Sequence, residues 1–80
     1  MEVRVRYFGQ FRDFTGKREE QMTVPDGLNV EAMREHVRGL YSKIAAKEEV
    51  LVAVNGNFGE LDQVIKPGDE VAFFPPVSGG

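Results

Sequence analysis

The chain begins with a strict alternation of charged and apolar side chains. In the segment EVRVRYF every second residue from Val3 onward is apolar, and the residues between are charged. This period of two is typical of a β-strand with one buried face. The later segment REEQMTV places Met22 and Val24 on one face in the same way, and PDG at positions 25–27 predicts its end.

A helix is predicted after this second strand. Asn29 is a favourable N-cap, and the apolar residues that follow recur at spacings of three and four. The resulting stripe consists of Val30, Met33, Val37, Leu40, Tyr41 and Ile44. The opposite side carries acids and bases three apart, so we expect it to face solvent. Reversal of Glu35 or Arg38 should change stability by only about a few tenths of a kcal/mol.

The second half of the chain is read as three more strands. The three strands are VLVAV at 50–54, a short return strand in FGEL, and EVAFF. The hairpin signal NGN separates the first two, and a type II turn in KPGD precedes the last. A single amphipathic helix can cover only one face of the sheet. The sequence therefore predicts a two-layer α+β domain over residues 1–74, with four to five strands and one main helix packed on one face.

Composition excludes several kinds of active site. The chain of 80 residues has no cysteine and a single histidine, His36, which is predicted on the flank of the helix. No serine lies in a nucleophile-elbow motif, no glycine-rich phosphate loop is present, and the acids are too few and too turn-like to predict a metal site. The net charge of −3 disfavours nucleic acid as a partner, and no apolar run approaches the length of a membrane span. We expect a cytoplasmic protein without a side-chain active site.

The C-terminal hexapeptide PPVSGG is the one segment that does not fit a fold, and residues 75–80 are predicted to be a flexible tail. Pro75 and Pro76 lack N–H donors, so the sheet should stop there. Gly79 and Gly80 have no side chains, which leaves the carboxylate of Gly80 as the reactive group. Adenylation by ATP would activate it, after which a sulfur donor would form a thiocarboxylate, or a lysine amine would form an amide.

Three segments resemble a known family. VAFFPPVSGG with the KPGDE turn before it, VRVRYFGQFRDFTG at the start, and VLVAVNG in the third strand are similar to the small subunit of molybdopterin synthase. These are the MoaD-type sulfur carriers of the ThiS/MoaD ubiquitin-like family, and the similarity covers nearly the whole chain. It implies a β-grasp fold in which the first and last strands pair in parallel at the centre of the sheet.

The resemblance also implies a role for the tail. An activating enzyme of the ubiquitin-activating type would adenylate Gly80 with ATP, so that AMP and then a 1-thioglycine are carried there transiently. A large catalytic subunit would receive the sulfur for the pterin precursor of the molybdenum or tungsten cofactor. The small subunit would thus bind no cofactor and no metal, and would be the sulfur donor of a two-subunit sulfurtransferase and not an enzyme by itself. Phe74, Pro75 and Pro76 would dock, and Ser78 stands where the family often has threonine. The tail implied in this way comprises Pro75, Pro76, Val77, Ser78, Gly79 and Gly80.

Strand alternation predicts where such a partner would dock. Val71 and Phe73 should face the helix, so that Ala72 and Phe74 face away from it. The same alternation in the first and third strands gives an outward-facing apolar patch with basic neighbours, which is typical of a protein interface. The patch consists of Phe8, Leu51, Ala53 and Phe74, with Arg4 and Arg6 beside it.

Three other functions stay open at this point. A sulfur carrier of the thiamine pathway uses the same fold, tail and chemistry with another acceptor. A protein modifier would be joined through Gly80 to lysines of other proteins. A plain binding module would have an inert tail.

Overall fold

The computed structural model describes residues 1–76. Eight elements follow one another along these residues. They are β1 (Glu2–Tyr7), α1 (Gln10–Thr15), β2 (Glu19–Thr23), α2 (Val30–Leu40), α3 (Ser42–Ala45), β3 (Leu51–Val54), β4 (Asn57–Phe58) and β5 (Glu70–Phe74). Of the predicted tail, Pro75 and Pro76 fall within this range. The predictions for Val77, Ser78, Gly79 and Gly80 lie outside the described residues.

The five strands form one mixed sheet in the order β2-β1-β5-β3-β4. β1 and β5 are parallel, with Val5 opposite Val71, whereas β2, β3 and β4 each pair antiparallel with their neighbours. The last strand is therefore central, and the predicted parallel pairing with the first strand is confirmed. Together with the helix on one face, this is the β-grasp arrangement.

The core lies between the inner face of the sheet and α2, and the strands contribute to it as their alternation predicts. Val3, Val5 and Tyr7 of β1 are buried, as are Val71 and Phe73 of β5. The helices and loops complete the same cluster with Phe11, Val24, Val30, Met33, Val37, Ile44 and Ile65. A single core over residues 1–74 leaves one face of the sheet available for other contacts.

The predicted turns adopt the backbone conformations that their residues favour. Asn55 and Gly56 have φ of 51° and 88°, as a two-residue type I′ hairpin requires, and Gly68 has φ of 83° at the third position of its turn. Asp69 holds this turn closed because its carboxylate accepts a hydrogen bond from the Lys66 N–H at 2.8 Å. These turns set the register of the strands that form the outer face.

The main helix is shorter than the apolar stripe predicts. Asn29 caps its start by accepting a hydrogen bond from the Ala32 N–H at 2.8 Å, but α2 ends at Leu40. Tyr41 is extended, with φ −126° and ψ 105°, and Ile44 enters the core from the separate helix α3. The prediction that Leu40 packs against the sheet was wrong, since its side chain is 54% exposed. Gly39, a poor helix former, lies just before the end of α2. The chain changes direction there, and the Leu40 side chain stays outside the core.

Within residues 1–76, no helix is both long enough and apolar enough to span a bilayer.

Candidate functional site: the outer sheet face and the tail root

The outer face of the sheet, opposite α2, contains two rows of side chains that cross the strands. One row runs through the paired residues Arg6, Ala72, Ala53 and Phe58, on β1, β5, β3 and β4. Paired residues of neighbouring strands point to the same face, so this register confirms that Ala53 and Ala72 face outward. The second row begins with Phe8, just after β1, and continues through Phe74 and Leu51.

Aromatic rings dominate the outer face. Phe8 and Phe74 stack with their ring centroids 4.5 Å apart and their planes only 10° apart, and Phe58 lies 5.9 Å from Phe74. Phe8, Leu51 and Phe74 are partly exposed, and Phe58 is 71% exposed. The four residues of the predicted patch and two neighbours, Phe58 and Ala72, form an apolar surface. We call it the outer patch and define it as Phe8, Leu51, Ala53, Phe58, Ala72 and Phe74.

Two members of the outer patch are less accessible than strand alternation predicts. Ala53 and Ala72 face outward but are only 4% and 8% exposed. Each is a small residue paired with a large one, because Phe58 stands opposite Ala53 and Arg6 stands opposite Ala72. The expectation that Ala53 is a contact residue is thus corrected: the alanines form the floor of the patch, and the aromatic rings form its exposed part.

Phe58 is a member of the outer patch that the sequence prediction missed. The signal was present, because a two-residue Asn-Gly turn fixes the pairing of its flanking strands. Asn55 and Gly56 place Val54 opposite Asn57 and therefore Ala53 opposite Phe58. Carrying this register one step further would have added Phe58 to the patch.

The two predicted basic residues lie beside the outer patch, but acids surround them. The Arg6 guanidinium lies 5.2 Å from the centroid of the Phe8 ring, 3.8 Å from the Glu19 carboxylate and 3.6 Å from the Glu70 carboxylate. Arg4 is exposed and pairs in register with Glu70. Exposed ion pairs of this kind stabilise the fold little. They give the rim mixed charge, so a partner would meet an apolar centre with polar edges of both signs.

The end of β5 is held by the residues that follow β1. The Phe8 N–H donates to the Phe73 carbonyl at 3.1 Å, which extends the parallel ladder by one bond. Gly9 then approaches Pro75 so closely that a Cβ on Gly9 would lie 3.1 Å from Pro75 Cγ. We call Phe74, Pro75 and Pro76 the tail root. The two prolines form one wall of a groove of about 380 Å³, whose other wall consists of Gly9, Gln10 and Lys47.

A polar cluster on the inner side joins three elements around Glu20. Its Oε2 accepts hydrogen bonds of 2.6 Å from both the Tyr7 and the Tyr41 hydroxyls, and its Oε1 accepts one of 3.1 Å from the Lys17 ammonium. Tyr7 belongs to β1, Glu20 to β2, and Tyr41 to the break between α2 and α3. Glu20 occupies an inward position of β2, two residues before Met22, so alternation marked this acid as unusual although the prediction overlooked it.

The hydrogen bonds in this cluster shift the pKa values of its members. Partial burial acts to raise the pKa of Glu20, but the hydrogen bonds from Tyr41, Tyr7 and Lys17 outweigh it and hold that pKa below its usual value. Burial, reinforced by Glu20, raises the pKa of Tyr7. The hydrogen bonds to Tyr41 and Glu20 raise the pKa of Lys17. All three shifts favour the neutral tyrosine and the charged acid and base, which is the arrangement of a structural cluster and not of a proton donor.

No metal-binding constellation is found among residues 1–76, where no three His, Cys, Asp or Glu side chains converge. His36 lies on α2 and is partly exposed. A second, mainly apolar groove of about 390 Å³ lies between α2 and the β3–β4 edge, with Leu51, Phe58 and Leu61 among its lining residues. Of these features, the outer patch and the tail root lie next to the C-terminal segment, and they form the candidate site.

Comparison with known proteins identifies close relatives. Residues 5–80 match the model of the ThiS family. The molybdopterin synthase sulfur carrier subunit of Haemophilus influenzae is 40% identical, over 98% of this chain and 99% of that protein. The human subunit of the same name is 34% identical, over 99% of this chain and 94% of that protein.

Solved structures of similar proteins share the fold. A putative molybdopterin converting factor subunit 1 from Pyrococcus furiosus superposes with a TM-score of 0.87 at 32% identity, over 96% of this chain and 99% of that one. Subunits 1 and 2 of the molybdopterin-converting factor from Helicobacter pylori form a protein–protein complex, and the matching chain has a TM-score of 0.69 at 22% identity, with both chains fully covered. The small archaeal modifier protein 1 from Methanosarcina acetivorans has a TM-score of 0.78 at 24% identity, over 99% and 96%. The last two likenesses show the fold alone.

Proposed function

Because this chain belongs to the ThiS family and is a sulfur carrier of the β-grasp fold, we propose that it is the sulfur-donating small subunit of a molybdopterin synthase. One observation carries the proposal. The two relatives named as molybdopterin synthase sulfur carrier subunits are more than a third identical to it over nearly the whole of both chains. The acceptor is then the pterin precursor, and not the acceptor of the thiamine pathway.

The proposed chemistry takes place at the carboxylate of Gly80. A carboxylate oxygen attacks the α-phosphate of ATP in an adenylating enzyme, which forms the acyl adenylate and releases pyrophosphate. A hydrosulfide equivalent then attacks the acyl carbon, and AMP leaves with the electron pair of the broken C–O bond. The product is a thiocarboxylate, which is ionised at neutral pH and far more nucleophilic than the carboxylate it replaces.

The thiocarboxylate sulfur is then delivered inside a partner subunit. It attacks an electrophilic carbon of the pterin precursor, where a carbon–oxygen bond breaks and the oxygen leaves with the electron pair. Water then attacks the acyl carbon of the resulting thioester, which breaks the acyl carbon–sulfur bond, leaves the sulfur on the pterin and restores the Gly80 carboxylate. Two such deliveries build the dithiolene that binds molybdenum or tungsten. Each delivery uses one thiocarboxylated chain, so the spent chain must dissociate before another can donate.

The positions of β5 and of the outer patch relative to the tail root support this role. β5 is central in the sheet and leads directly into the tail root, so the reactive end is attached to the best-held strand of the domain. The outer patch borders the tail root through Phe74, so one partner can hold both at once. We propose that this partner is the large subunit of the synthase, and that the adenylating enzyme uses the same surface at another time.

A second candidate function is protein modification through Gly80. The same activated terminus can react with a lysine amine in place of sulfide, and a protein of the same fold is named a small archaeal modifier protein. Both functions require the adenylate, and they differ only in the nucleophile that follows. The sulfur-carrier function ranks first because the relatives above 30% identity bear that name.

Intact-mass measurement distinguishes the candidates. The full chain is incubated with its adenylating enzyme, ATP and sulfide, and we expect a mass increase equal to exchange of one oxygen for one sulfur. A chain lacking Gly80 is the control and should keep its mass. High-mass conjugates without the sulfur exchange would favour the modifier, and an unchanged mass under all conditions would overturn both proposals.

A further inference from the structure

Two consecutive residues after β1, Phe8 and Gly9, contact three consecutive residues at and just beyond the end of β5. The Phe8 ring stacks on the Phe74 ring, and the Phe8 N–H bonds to the Phe73 carbonyl at 3.1 Å. The next residue, Gly9, faces Pro75. Contact between the two chain segments therefore continues one residue beyond the last strand.

Gly9 meets two separate requirements, both of which favour glycine. Its φ of 56° and ψ of −135° lie outside the left-handed helical region, in a part of conformational space that side chains avoid. In addition, a Cβ at this position would lie 3.1 Å from Cγ and 3.4 Å from Cδ of Pro75. Those atoms belong to a ring fused to the backbone, so the ring cannot rotate away as the end of a long side chain could.

We propose that Gly9 is a positioning residue for sulfur delivery: its bare backbone lets Pro75 pack against the start of α1, and this contact fixes the direction in which the tail leaves the domain. The inference rests on the proposed function. The new element is that the domain sets the direction of the tail as well as the point at which the tail is attached.

The direction matters because the two prolines restrict the base of the tail, which was predicted to be flexible over its whole length. Pro75 and Pro76 have ring-fixed φ angles, so an orientation set at Pro75 carries through Pro76. Five residues follow Pro75, and a fully extended segment of that length would span up to about 17 Å. A rotation of roughly 10° at Pro75 would move the far end of such a segment by about 3 Å. Misplacement of reacting groups by about 1 Å can cost on the order of a hundredfold in rate.

The first test measures Gly9→Ala in the full, thiocarboxylated chain. Its affinity for the large subunit should stay within about threefold of the unmodified chain, because the outer patch is intact. Its single-turnover rate of sulfur transfer to the pterin precursor, with the large subunit saturating, should fall by about ten- to a hundredfold. A purely structural defect would lower affinity and rate together.

Gly16→Ala is the control for destabilisation of α1 by a positive φ without a steric conflict. Gly16 lies at the other end of α1 with φ of 73°, and a Cβ there would meet nothing within 4 Å. This variant should have a lower Tm but an unchanged transfer rate. An equal loss of rate in both glycine variants would show that destabilisation of α1 causes the defect, which overturns the proposal.

A double-mutant cycle with Pro75→Ala isolates the contact. Pro75→Ala alone removes the ring that packs on Gly9. With the large subunit saturating, it should lower the single-turnover transfer rate by about tenfold, because the direction of the tail is no longer fixed. Adding Gly9→Ala to it should cost little more, since the steric conflict needs both partners. Rate losses that simply multiply would overturn the proposal.

The remaining outcomes are also decisive. If Gly9→Ala does not fold, the test rests on Pro75→Ala, which should fold because Pro75 lies beyond the last strand. A wild-type transfer rate in that variant overturns the proposal. A folded Gly9→Ala chain that transfers sulfur at the wild-type rate overturns it as well. Failure of the unmodified chain to transfer sulfur at all would instead overturn the proposed function.

Discussion

Glu20 is the residue whose charge matters most to the interior of the fold. It accepts hydrogen bonds from two tyrosines and a lysine, and its side chain is only 18% exposed. Its pKa in the folded protein lies below the unfolded value of 4.5. The folded chain therefore stabilises the ionised Glu20 carboxylate relative to the unfolded chain.

The sign of the pH dependence follows from that shift. A carboxyl with a depressed folded pKa stabilises the fold fully above its unfolded pKa, and this contribution is lost as the pH falls through the folded value. We expect Glu20→Gln to lower the free energy of unfolding by about 1–2 kcal/mol at pH 7. The difference between wild type and variant should shrink as the pH falls below 4.5, as measured by urea denaturation at a series of pH values.

Glu19→Gln is the matched control for that experiment. Glu19 is the neighbouring acid on β2, points outward, and lies 3.8 Å from the Arg6 guanidinium with more than half of its side chain exposed. Its substitution should change stability by less than about 0.5 kcal/mol at any pH. Equal losses in the two variants would show that strand propensity, and not the buried hydrogen bonds, is responsible.

At the scale of secondary-structure elements, α2 differs from its predicted role in one respect. Its outer side was expected to tolerate charge reversal at Glu35 and Arg38 equally. Arg38, however, donates a hydrogen bond of 3.0 Å to the Ala45 carbonyl at the end of α3 and also lies 3.8 Å from Glu35. It therefore links the two helices across the break at Tyr41.

This contact makes the two positions unequal. Arg38→Ala should lower the free energy of unfolding by about 1 kcal/mol, because it removes a charge-assisted hydrogen bond to a helix terminus. Glu35→Ala should lower it by only about a few tenths of a kcal/mol. Chemical denaturation of both variants checks this, and sulfur transfer should be unaffected in either; equal stabilities would mean that the bond to Ala45 contributes nothing in solution.

The elements predicted best are those fixed by local chemistry. The alternation around Val5, the Asn29 cap and the turn at Gly68 were each readable from the sequence, because each depends on neighbours within a few residues. The break at Tyr41 was not, because the stripe spacing continues through it. There the Tyr41 hydroxyl donates a long-range hydrogen bond to Glu20, which local periodicity cannot show.

At the scale of the whole molecule, the outer patch is the surface on which assembly is proposed to depend. Phe74→Asp places a charge at its centre. We expect affinity for the large subunit to fall by at least about thirtyfold, since buried aromatic anchors dominate interfaces. Stability should fall by only about 1 kcal/mol, because Phe74 is partly exposed and loses mainly its stacking with Phe8.

Val64→Asp provides the comparison for that variant. Val64 is 52% exposed, but it pairs with Asn29 near the start of α2 and lies outside the outer patch. The same carboxylate placed there should leave the affinity unchanged. Calorimetric titration of both variants with the large subunit measures this, and wild-type binding by Phe74→Asp would remove the outer patch as the docking surface.

The candidate site was predictable from the sequence only in part. Strand alternation placed Phe8 and Phe74 on one face. It does not show which residues of that face neighbouring side chains cover, so the burial of Ala53 was missed. Gly9 was visible only as a glycine after a strand. Its significance comes from Pro75, which is 66 residues away in the sequence and reaches Gly9 because β1 and β5 run in parallel.

The central position of β5 also determines how the domain responds to force. A partner that pulled on the chain beyond Phe74 would load β5 along its own axis. This strand is hydrogen-bonded on both sides, to β1 and to β3, so the load is a shear shared by two ladders, and their bonds must yield together. An edge strand such as β4 would instead peel away one bond at a time. The pairing of β5 should therefore resist such a force, so that a partner can pull on the chain end repeatedly while the sheet stays intact.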